Sequence, residues 1–485
     1  MNFFYHLPDT DEGLRNYGDF PISSSIVSGL VFFLDSLSVL VFGFLTTIIL
    51  IGFGSQNIGF YVSAVLFIWI ANFMFFHFAG LYQFDSIVNP LKAWDRFLVA
   101  YAISFLMLLA VAFSYKISAI YSRIWVYSFA LSVGLSIVTF RLCLSGIVNK
   151  LAAKGYFVRN VVVVGGGEQG KRLLDHVKQT GPKFLKIVGV FDDRANMSRT
   201  IVSGYSIKGN LSDLMRYVRN NRVDDVIIAL PWNAEDSLKW IIKRLRQLPI
   251  NIYLGSDLIG FHVNFKASPS HFSGMPIVEV ADKPMSGWNT VFKFLEDITL
   301  AGLAFILLSP LMVLIAIAIK LDSPGPVLFR QSRLGFNNRI FNVYKFRSMK
   351  ENCSPENGKT IQATHGDARV TRVGRFLRRT SLDELPQLFN VFNGTMSLVG
   401  PRPHAVDHNE EYSKKIYGYF ARHRVKPGIT GWAQVNGLRG EIKAIEKMEE
   451  RVEHDIYYAE NWSLLFDLKI ILKTVGVIII GENAY

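Results

Sequence analysis

Long apolar stretches dominate the start of the chain, where four of them follow one another at about 24–53, 57–81, 97–115 and 124–147. Each is close to the roughly 20 apolar residues that an α-helix needs to cross a bilayer. A single stretch of this length is also compatible with a helix buried in a protein core. Four in succession favour membrane helices, so residues 1–150 are predicted to form a four-helix transmembrane bundle.

The pattern changes over residues 158–265 to short apolar runs that alternate with polar segments. The runs are VVVVGGG (161–167), KIVGVFDD (186–193), VDDVIIAL (223–230) and INIYL (250–254). Such short runs, rich in β-branched residues, are typical of buried strands, and the polar segments between them are long enough for helices. This alternation predicts a Rossmann-like domain built on a parallel α/β sheet.

A glycine-rich motif, GGGEQG, ends the first of these runs, with Gly165, Gly167 and Gly170 at the G-x-G-x-x-G spacing. In dinucleotide-binding domains such glycines let a pyrophosphate approach the backbone, and a later acid binds the ribose; Asp192 and Asp193 lie near that position. The alternative is that the glycines only permit a tight turn and close helix packing. The sequence contains no Tyr-x-x-x-Lys pair, which argues against a short-chain dehydrogenase or a sugar-nucleotide dehydratase.

A fifth apolar stretch follows residues 266–290, which are predicted as a linker. Between Asp297 and Lys320 lie 22 uncharged residues, enough to span a bilayer. Pro310, at the middle, lacks a backbone donor and clashes with the preceding turn, and Ser309 can bond to a carbonyl of that turn. A break or kink in the helix is therefore expected at Ser309 and Pro310.

Positive charges flank this stretch on both sides. They are Lys283 and Lys293 before its centre and Lys320, Arg330, Arg333 and Arg339 after it. Because cytoplasmic flanks carry the excess of Lys and Arg, the distribution favours a re-entrant helix at about 291–321 whose ends both face the cytoplasm. A kinked helix that crosses the bilayer is the alternative. The apolar segment at 462–480, interrupted by charges, is predicted either to lie at the membrane interface or to pack against the domain before it.

Charge is distributed unevenly along the 485 residues. The net charge is +13, yet the first 150 residues hold seven basic and seven acidic side chains, so the excess of 45 basic over 32 acidic residues lies in the rest. A basic portion attached to a membrane region suggests anionic partners: phosphates, lipid headgroups or nucleic acid. An even number of N-terminal spans places both chain ends on one side, and the basic portion favours the cytoplasm.

The two cysteines make no disulfide framework, as expected in a reducing compartment.

Two adjacent carboxylates, Asp383 and Glu384, lie within the basic portion. Ser381-x-x-Glu384 matches a capping box, so one interpretation is that the acids only stabilise the helix that follows. The other interpretation is chemical, because basic residues surround the pair in sequence, among them Lys345, Arg378 and Arg402. The excess of positive charge suits a diphosphate, carboxylates beside phosphate groups suit Mg²⁺, and an Asp carboxylate can accept a phosphoryl group covalently. No His and Cys spacing suggests zinc, and His404 is expected to be a surface side chain rather than a phosphate contact.

Several motifs in residues 285–485 resemble those of the monotopic phosphoglycosyl transferases, bacterial sugar transferases that start glycan assembly on a polyprenyl phosphate. The motifs are LDSPGPVLFRQSRLG (321–335), YKFRSM (344–349), TRVGRFLRRTSLDELPQLFNV (371–391), MSLVGPRP (396–403) and RVKPGITGWAQVNG (424–437). The preceding spans and Rossmann-like domain resemble the long form of the family. The resemblance implies an α-rich catalytic domain over residues 291–485, anchored by a re-entrant helix whose break at Ser309 and Pro310 holds the site at the headgroup plane.

The resemblance also implies a mechanism. Asp383 would attack the β-phosphate of a UDP-sugar, release UMP and form a phosphosugar-aspartyl intermediate, which undecaprenyl phosphate would then attack. Glu384 would hold Mg²⁺ or assist proton removal, with Asp383 sharing the metal before the attack. The residues that would bind phosphate are Lys345, Arg378 and Arg402.

The run PRPHAVDHNEEY and the later RHRVKPGITGWAQVNGLRGE are most similar to the undecaprenyl-phosphate glucose phosphotransferases. UDP-glucose is therefore the expected donor, with UDP-galactose or an N-acetylated UDP-sugar as alternatives. The expected partners are the UDP-sugar, undecaprenyl phosphate and the membrane, without nucleic acid, and the expected assembly is a homodimer.

By the same resemblance, the protein is expected in the bacterial inner (cytoplasmic) membrane as a multi-pass protein whose catalytic domain faces the cytoplasm, where it would initiate exopolysaccharide or capsule biosynthesis. An alternative of another class is a membrane-anchored NAD(P)-dependent nucleotide-sugar oxidoreductase or dehydratase that uses the domain at 158–265. A third is a non-enzymatic role in which the N-terminal half dimerises or regulates.

Overall fold

The computed structural model describes residues 24–153, 157–180, 184–194, 201–231, 233–255, 277–350, 367–404, 406–438 and 445–480. The chain divides into two compact units, Met1–Val158 and Arg159–Tyr485.

Helices form nearly all of the first unit within its described residues. They are α1 (Ser24–Leu50), α2 (Ile58–Phe78), α3 (Phe84–Val88), α4 (Trp94–Ser114) and α5 (Arg123–Ala153). The four long helices occupy the four predicted apolar stretches, and each is long and apolar enough to cross a membrane. α1 packs against α2 and α5, and α2 packs against α4. Trp125 and Phe129 of α5 are completely buried in the core that these helices share.

One ion pair lies buried between α1 and α5, because Nη2 of Arg141 is 2.6 Å from Oδ2 of Asp35. The Arg141 guanidinium also donates to the carbonyl of Leu81 and lies over the rings of Phe76 and Tyr82. These contacts compensate charges that would otherwise be costly among apolar helices.

The second unit begins with the α/β domain. Its strands are β1 (Arg159–Val164), β2 (Leu185–Phe191), β3 (Ile201–Val202), β4 (Tyr205–Ser206), β5 (Asp225–Ile228), β6 (Asn251–Gly255) and β7 (Ile277–Ala281), and its helices are α6 (Glu168–Thr180), α7 (Leu211–Asn220) and α8 (Glu235–Leu245). Five strands form one sheet in the order β2-β1-β5-β6-β7. The four strands β1, β2, β5 and β6 are parallel, which confirms the predicted parallel sheet.

The edge strand β7 corrects one expectation. It lies within residues 266–290, which were predicted as a linker, and it pairs antiparallel with β6. Its residues are only partly buried, as is common for an edge strand, so the segment carries no continuous apolar run that would have marked it as a strand. Residues 266–276 of the predicted linker lie outside the described residues.

Helices and two pairs of strands form the regular structure in the remaining described residues of the second unit. They are α9 (Trp288–Asp322), β8 (Leu328–Leu334), β9 (Ile340–Phe346), α10 (Arg372–Thr380), α11 (Gln387–Phe392), β10 (Ser397–Val399), α12 (Val406–Lys415), β11 (Gly428–Thr430), α13 (Trp432–Val435), α14 (Ile445–Glu460) and α15 (Leu464–Ile480). β8 and β9 form an antiparallel hairpin, and β10 and β11 form a parallel pair.

The long apolar helix α9 has 35 residues and contains Pro310. Helical structure continues through Ser309 and Pro310 instead of ending there. The Ser309 hydroxyl donates to the carbonyl of Ile306 at 3.0 Å, the contact expected of a serine that bends a helix. Large apolar side chains such as Leu307 and Leu314 are exposed along α9, which makes it a candidate membrane helix. Its re-entrant path stays a prediction.

Buried polar contacts attach the first half of α9 to β10 and α15. Oδ1 of Asp297 accepts hydrogen bonds from Ser397 Oγ at 2.9 Å and from the Leu398 backbone at 3.0 Å. Lys293 pairs with Asp297 at 3.2 Å and also with Asp467 of α15. α15 therefore packs against its own domain, as one of the two interpretations of residues 462–480 predicted.

Within the second unit, the α/β domain also contacts the portion of the chain that follows α9. Asn337, in the β8–β9 turn, donates to the carbonyl of Val218 at the end of α7. The Tyr417 hydroxyl donates to the carbonyl of Lys243 in α8, and the Lys243 ammonium lies 3.8 Å from the centre of the Tyr417 ring. The α/β domain therefore rests on the hairpin turn and on the segment after α12.

Candidate active site

A left-handed residue sets the direction of the chain before the two acids. Ser381 ends α10 with φ of +59°, a conformation that costs a non-glycine residue about 1–2 kcal/mol. The next residues form a 3-10 turn, Leu382–Glu384, in which Asp383 is buried. The Ser381 side chain makes no capping bond to this turn, and Glu384 turns towards cations. The capping-box interpretation is therefore wrong.

Glu384 is held by two cations from distant parts of the chain. Lys345, near the end of β9, donates to Oε1 at 2.9 Å, and Arg402, in the Pro-Arg-Pro turn after β10, donates to Oε1 at 2.6 Å and to Oε2 at 3.1 Å. Burial by itself would raise the pKa of Glu384, but Arg402 and Lys345 hold it well below its usual range. Glu384 is therefore ionised at neutral pH and orients both basic side chains.

Asp383 is in a different environment from its neighbour. It is 9% exposed, and within the described parts of the chain no hydrogen bond reaches its carboxylate. Burial and the adjacent Glu384 charge raise the pKa of Asp383, although Lys345, Arg378 and Arg402 oppose this shift. A buried carboxylate that lacks a partner but lies among cations is free to act on an anionic substrate.

Arg378 completes the group of predicted site residues. It lies on α10, and its Nε donates to Ser348 Oγ at 2.8 Å; it belongs to none of the ion pairs found among the described residues. Its charge favours the ionised form of Asp383. The fold thus brings together the five residues that the sequence singled out for chemistry: Lys345, Arg378, Asp383, Glu384 and Arg402.

Sequence reasoning missed Arg333, which it treated only as a charge flanking a membrane helix. Arg333 lies near the end of β8, where Nη2 donates to Gln331 Oε1 at 2.6 Å and Nη1 to the Pro403 carbonyl at 3.4 Å. Burial and the nearby charge of Arg402 lower the pKa of Arg333 to about 10. Its place in the motif LFRQSRLG was the available signal, but the motif alone does not say which of its two arginines bonds to the Pro-Arg-Pro turn.

Buried polar side chains contact the Pro-Arg-Pro turn and the residue after it. Arg422 is completely buried, donates to the Arg402 carbonyl at 2.6 Å and pairs with Asp455 of α14 at 2.7 Å. Nη1 of Arg422 lies 2.7 Å from Nδ1 of His404. Burial and then the charges of Arg422 and Arg451 hold the pKa of His404 well below its usual range. His404 is therefore a neutral buried residue, which corrects the expectation of a surface side chain.

The carboxylates can supply part of a Mg²⁺ site. Mg²⁺ in phosphate-binding enzymes takes one or two carboxylates and completes its octahedron with water and substrate phosphates. Asp383 has both oxygens free of hydrogen bonds from the described residues, whereas Glu384 already accepts three. The described residues contain no cluster of three or more metal-ligating side chains. Among the described residues, Asp383 is therefore the carboxylate of this pair whose oxygens are available to such an ion.

The glycine-rich turn of the α/β domain joins β1 to α6. Gly165 has φ of +108°, and a Cβ there would lie 2.6 Å from the carbonyl oxygen of Ala229. A Cβ on Gly170 would lie 1.9 Å from the carbonyl oxygen of Gly165. Packing therefore requires glycine at both positions whether or not a ligand binds.

The acid near the predicted ribose position makes its contacts inside the domain. Asp192 accepts hydrogen bonds from the backbone of Gly166 at 2.6 Å and from the side chain of Arg194 at 2.6 and 2.9 Å. The Arg194 guanidinium lies against the turn, 3.0 Å from where a Cβ on Gly167 would be. Nucleotide binding by Gly165, Gly167 and Gly170 stays a prediction.

Two family models match the chain. Residues 288–481 match the model described as bacterial sugar transferase, and residues 77–255 match a model described as CoA-binding domain.

Three relatives illustrate what the chain is similar to. The UDP-glucose:undecaprenyl-phosphate glucose-1-phosphate transferase of Escherichia coli K12 is 42% identical over 365 residues, 75% of this chain and 76% of that protein. The protein of the same name from Xanthomonas campestris is 40% identical over 368 residues, 75% of each chain. A UDP-N-acetylgalactosamine-undecaprenyl-phosphate N-acetylgalactosaminephosphotransferase of Aeromonas hydrophila is 47% identical over 199 residues, 40% of this chain and 46% of that protein.

Proposed function

The chain belongs to the bacterial sugar transferase family, and from this premise we propose that it transfers glucose 1-phosphate from UDP-glucose to undecaprenyl phosphate and releases UMP. The names of the Escherichia coli and Xanthomonas relatives, which are similar over three quarters of the chain, support this reaction. The observation that carries the proposal is the pair of unlike carboxylates: Asp383 is buried and without a hydrogen-bond donor among the described residues, while Glu384 binds Lys345 and Arg402.

The proposed reaction has two displacement steps. An Asp383 oxygen forms a bond to the β-phosphorus of UDP-glucose, and the bond from that phosphorus to the bridging oxygen breaks, so that UMP leaves with the electron pair. An oxygen of undecaprenyl phosphate then attacks the same phosphorus. The bond to Asp383 breaks, its carboxylate is restored and undecaprenyl diphosphate glucose is formed.

Cations around the dyad would bind the phosphate oxygens in both steps. Arg378 has no carboxylate partner among the described residues, and Lys345 and Arg402 are pre-oriented by Glu384. Fixed guanidinium groups bind the non-bridging oxygens in a forked geometry and stabilise charge that develops at the leaving phosphate. Glu384 thus contributes by positioning, alongside the metal-binding or proton-removing role that the family resemblance implies.

Mg²⁺ is the proposed metal, with Asp383 and then Glu384 as its protein ligands. When bound, it would neutralise the charge of the diphosphate.

The membrane arrangement belongs to the same proposal. α9 would enter one leaflet of the bacterial inner membrane, turn back at Ser309 and Pro310 and leave on the same side, with the site facing the cytoplasm. The exposed apolar side chains of α9 and the polar anchoring of its first half by Asp297 support this placement. The product would be the first lipid-linked sugar of an exopolysaccharide or capsule. A homodimer also remains a prediction, and native mass spectrometry in nanodiscs would check it.

The name of one relative suggests a second donor. The Aeromonas relative, whose name contains UDP-N-acetylgalactosamine, is 47% identical to this chain over 199 residues, whereas another relative named for UDP-glucose is 51% identical over 193 residues. An N-acetylated UDP-sugar is therefore the alternative donor for the same chemistry.

Intact-protein mass spectrometry tests the proposal. The protein is incubated with Mg²⁺ and UDP-glucose, or with UDP-N-acetylgalactosamine, in the absence of lipid acceptor. We expect the mass to rise by one phosphoglucose unit with UDP-glucose, and undecaprenyl phosphate should then discharge the adduct. Asp383→Asn should form no adduct, while the matched control Asp236→Asn, an exposed residue of α8, should behave as wild type.

Each other outcome has a distinct meaning. An adduct with the N-acetylated donor alone would keep the mechanism and change the sugar. UMP release on addition of lipid without any adduct would favour direct transfer and remove Asp383 from the role of nucleophile. No UMP release from any donor would refute the proposed reaction.

A further inference from the structure

The site contains more positive charge than its acids neutralise. Lys345 and Arg402 share Glu384, and Arg378 bonds to a serine hydroxyl. Arg333, which bonds to the carbonyl of Pro403 next to Arg402, adds a fourth cation, and the charges of Arg402 and Glu384 both act on it. With two carboxylates and four basic groups, the described part of the site carries a surplus that matches an incoming phosphate or diphosphate.

Arg333 itself lacks an acidic partner. Its two hydrogen bonds go to Gln331 and to the carbonyl of Pro403, and none of the ion pairs among the described residues includes it. A guanidinium has five N–H donors, so about three remain available. A half-buried guanidinium without a counter-ion is unfavourable until an anion reaches it.

The two contacts of Arg333 also orient it. Gln331, two residues earlier on the same face of β8, holds one Nη, and the Pro403 carbonyl holds the other. Pro403 directly follows Arg402, so Arg333 is tied to the turn that carries a proposed phosphate-binding arginine. Fixing the fork in advance reduces the conformational entropy that is lost when an anion binds.

We propose that Arg333 is a further phosphate-binding residue, which acts with Arg402 on an oxyanion of a substrate. This inference rests on the proposed function. The shared chemistry is a phosphate oxyanion, and two sources present it: the diphosphate of the UDP-sugar and the phosphate of undecaprenyl phosphate.

Steady-state kinetics of UMP release distinguish the two sources. The variants are Arg333→Gln, which removes the charge, and Arg333→Lys, which keeps the charge but not the fork. The matched control is Arg330→Gln, because Arg330 is an exposed arginine of the same strand whose guanidinium lies over the Tyr344 ring, 5.4 Å from its centre. KM is measured for UDP-glucose at saturating lipid and for undecaprenyl phosphate at saturating donor.

We expect Arg333→Gln to raise one of the two KM values roughly 10- to 100-fold, the effect of losing a charge-assisted hydrogen bond. Arg333→Lys should restore part of the loss, and Arg330→Gln should change neither KM. A rise in the KM of UDP-glucose assigns Arg333 to the diphosphate, and a rise in the KM of undecaprenyl phosphate assigns it to the lipid.

Two results overturn the inference. In the first, Arg333→Gln matches Arg330→Gln in both KM values. In the second, only kcat falls, together with the melting temperature, and Arg333→Lys restores neither, which is the behaviour of a structural residue. Failure of the proposed function is distinguishable, since the wild-type protein would then release no UMP when both substrates are supplied.

Discussion

Replacing Glu384 by Gln removes one negative charge from the centre of the site and keeps the size of the side chain. Glu384 accepts one hydrogen bond from Lys345 and two from Arg402. The amide oxygen of Gln can replace only one carboxylate oxygen, and its NH₂ group faces a donor of one of the cations. Two basic groups therefore lose their shared counter-ion.

The expected loss of stability can be estimated from this geometry. Removing one member of a buried ion pair costs about 3–5 kcal/mol. The side chains of Lys345 and Arg402 are 21% and 27% exposed, so water recovers part of the loss and the lower end, about 3 kcal/mol, applies. For a domain of about 150–250 residues, a range that includes the segment 288–481, that corresponds to a fall in melting temperature of roughly 6–12 °C.

Tryptophan fluorescence during heating of the detergent-solubilised full chain measures this change. The matched control is Glu449→Gln, since Glu449 is exposed on α14 and belongs to no ion pair among the described residues. Equal melting temperatures for the two variants at neutral pH would refute the reasoning that Lys345 and Arg402 depend on Glu384.

The dependence on pH tests the electrostatic origin of the effect. Because the folded-state pKa of Glu384 lies well below its ordinary value of 4.5, its stabilisation is complete above that ordinary value and is lost as the pH falls through the lower, folded-state pKa. The gap between wild type and Glu384→Gln should therefore shrink in acid. A gap that stays constant down to about pH 3 would point to packing instead of charge.

Three further predictions concern activity, the α/β domain and α9. The proposed mechanism requires an ionised Asp383, and burial together with the Glu384 charge raises the pKa of Asp383 above the ordinary 3.8. Initial rates of UMP release should therefore decline in acid with an apparent pKa above that value. In Gly170→Ala the new Cβ would lie 1.9 Å from a carbonyl oxygen, so the free energy of unfolding should fall by about 3 kcal/mol or more. The α/β domain should then become sensitive to limited proteolysis. The control Gly255→Ala, whose Cβ would have its nearest atom at 3.5 Å, should not. Asp297→Asn should lower thermal stability by about 1–3 kcal/mol, since Lys293 loses a buried partner; an unchanged melting temperature would count against the anchoring of α9.

Local pattern was sufficient for much of the architecture. The four N-terminal helices coincide with the four apolar stretches, because crossing a bilayer demands about 20 apolar residues in a row. The parallel sheet followed from the alternation of strands and helices. The same kind of reasoning missed β7, because an edge strand is partly exposed and lacks the apolar run of a buried one.

The site shows where sequence reasoning ends. Adjacent acids among basic residues marked Asp383 and Glu384 as candidates, and local pattern supported a capping box equally well. Only the fold shows that Glu384 binds Lys345, 39 residues earlier, and Arg402, 18 residues later.

The buried polar contacts around the site depend on tertiary structure even more strongly. Asp297 meets Ser397 across 100 residues, and Lys293 meets Asp467 across 174. Periodicity reports which face of an element is apolar, but it carries no information on which distant polar group will lie opposite. The sequence by itself therefore determined the apolar helices, the buried strands of the parallel sheet and the chemical types of the site residues. Packing between elements decided which cations share Glu384, why His404 is buried and neutral, and that Arg333 bonds to the Pro-Arg-Pro turn.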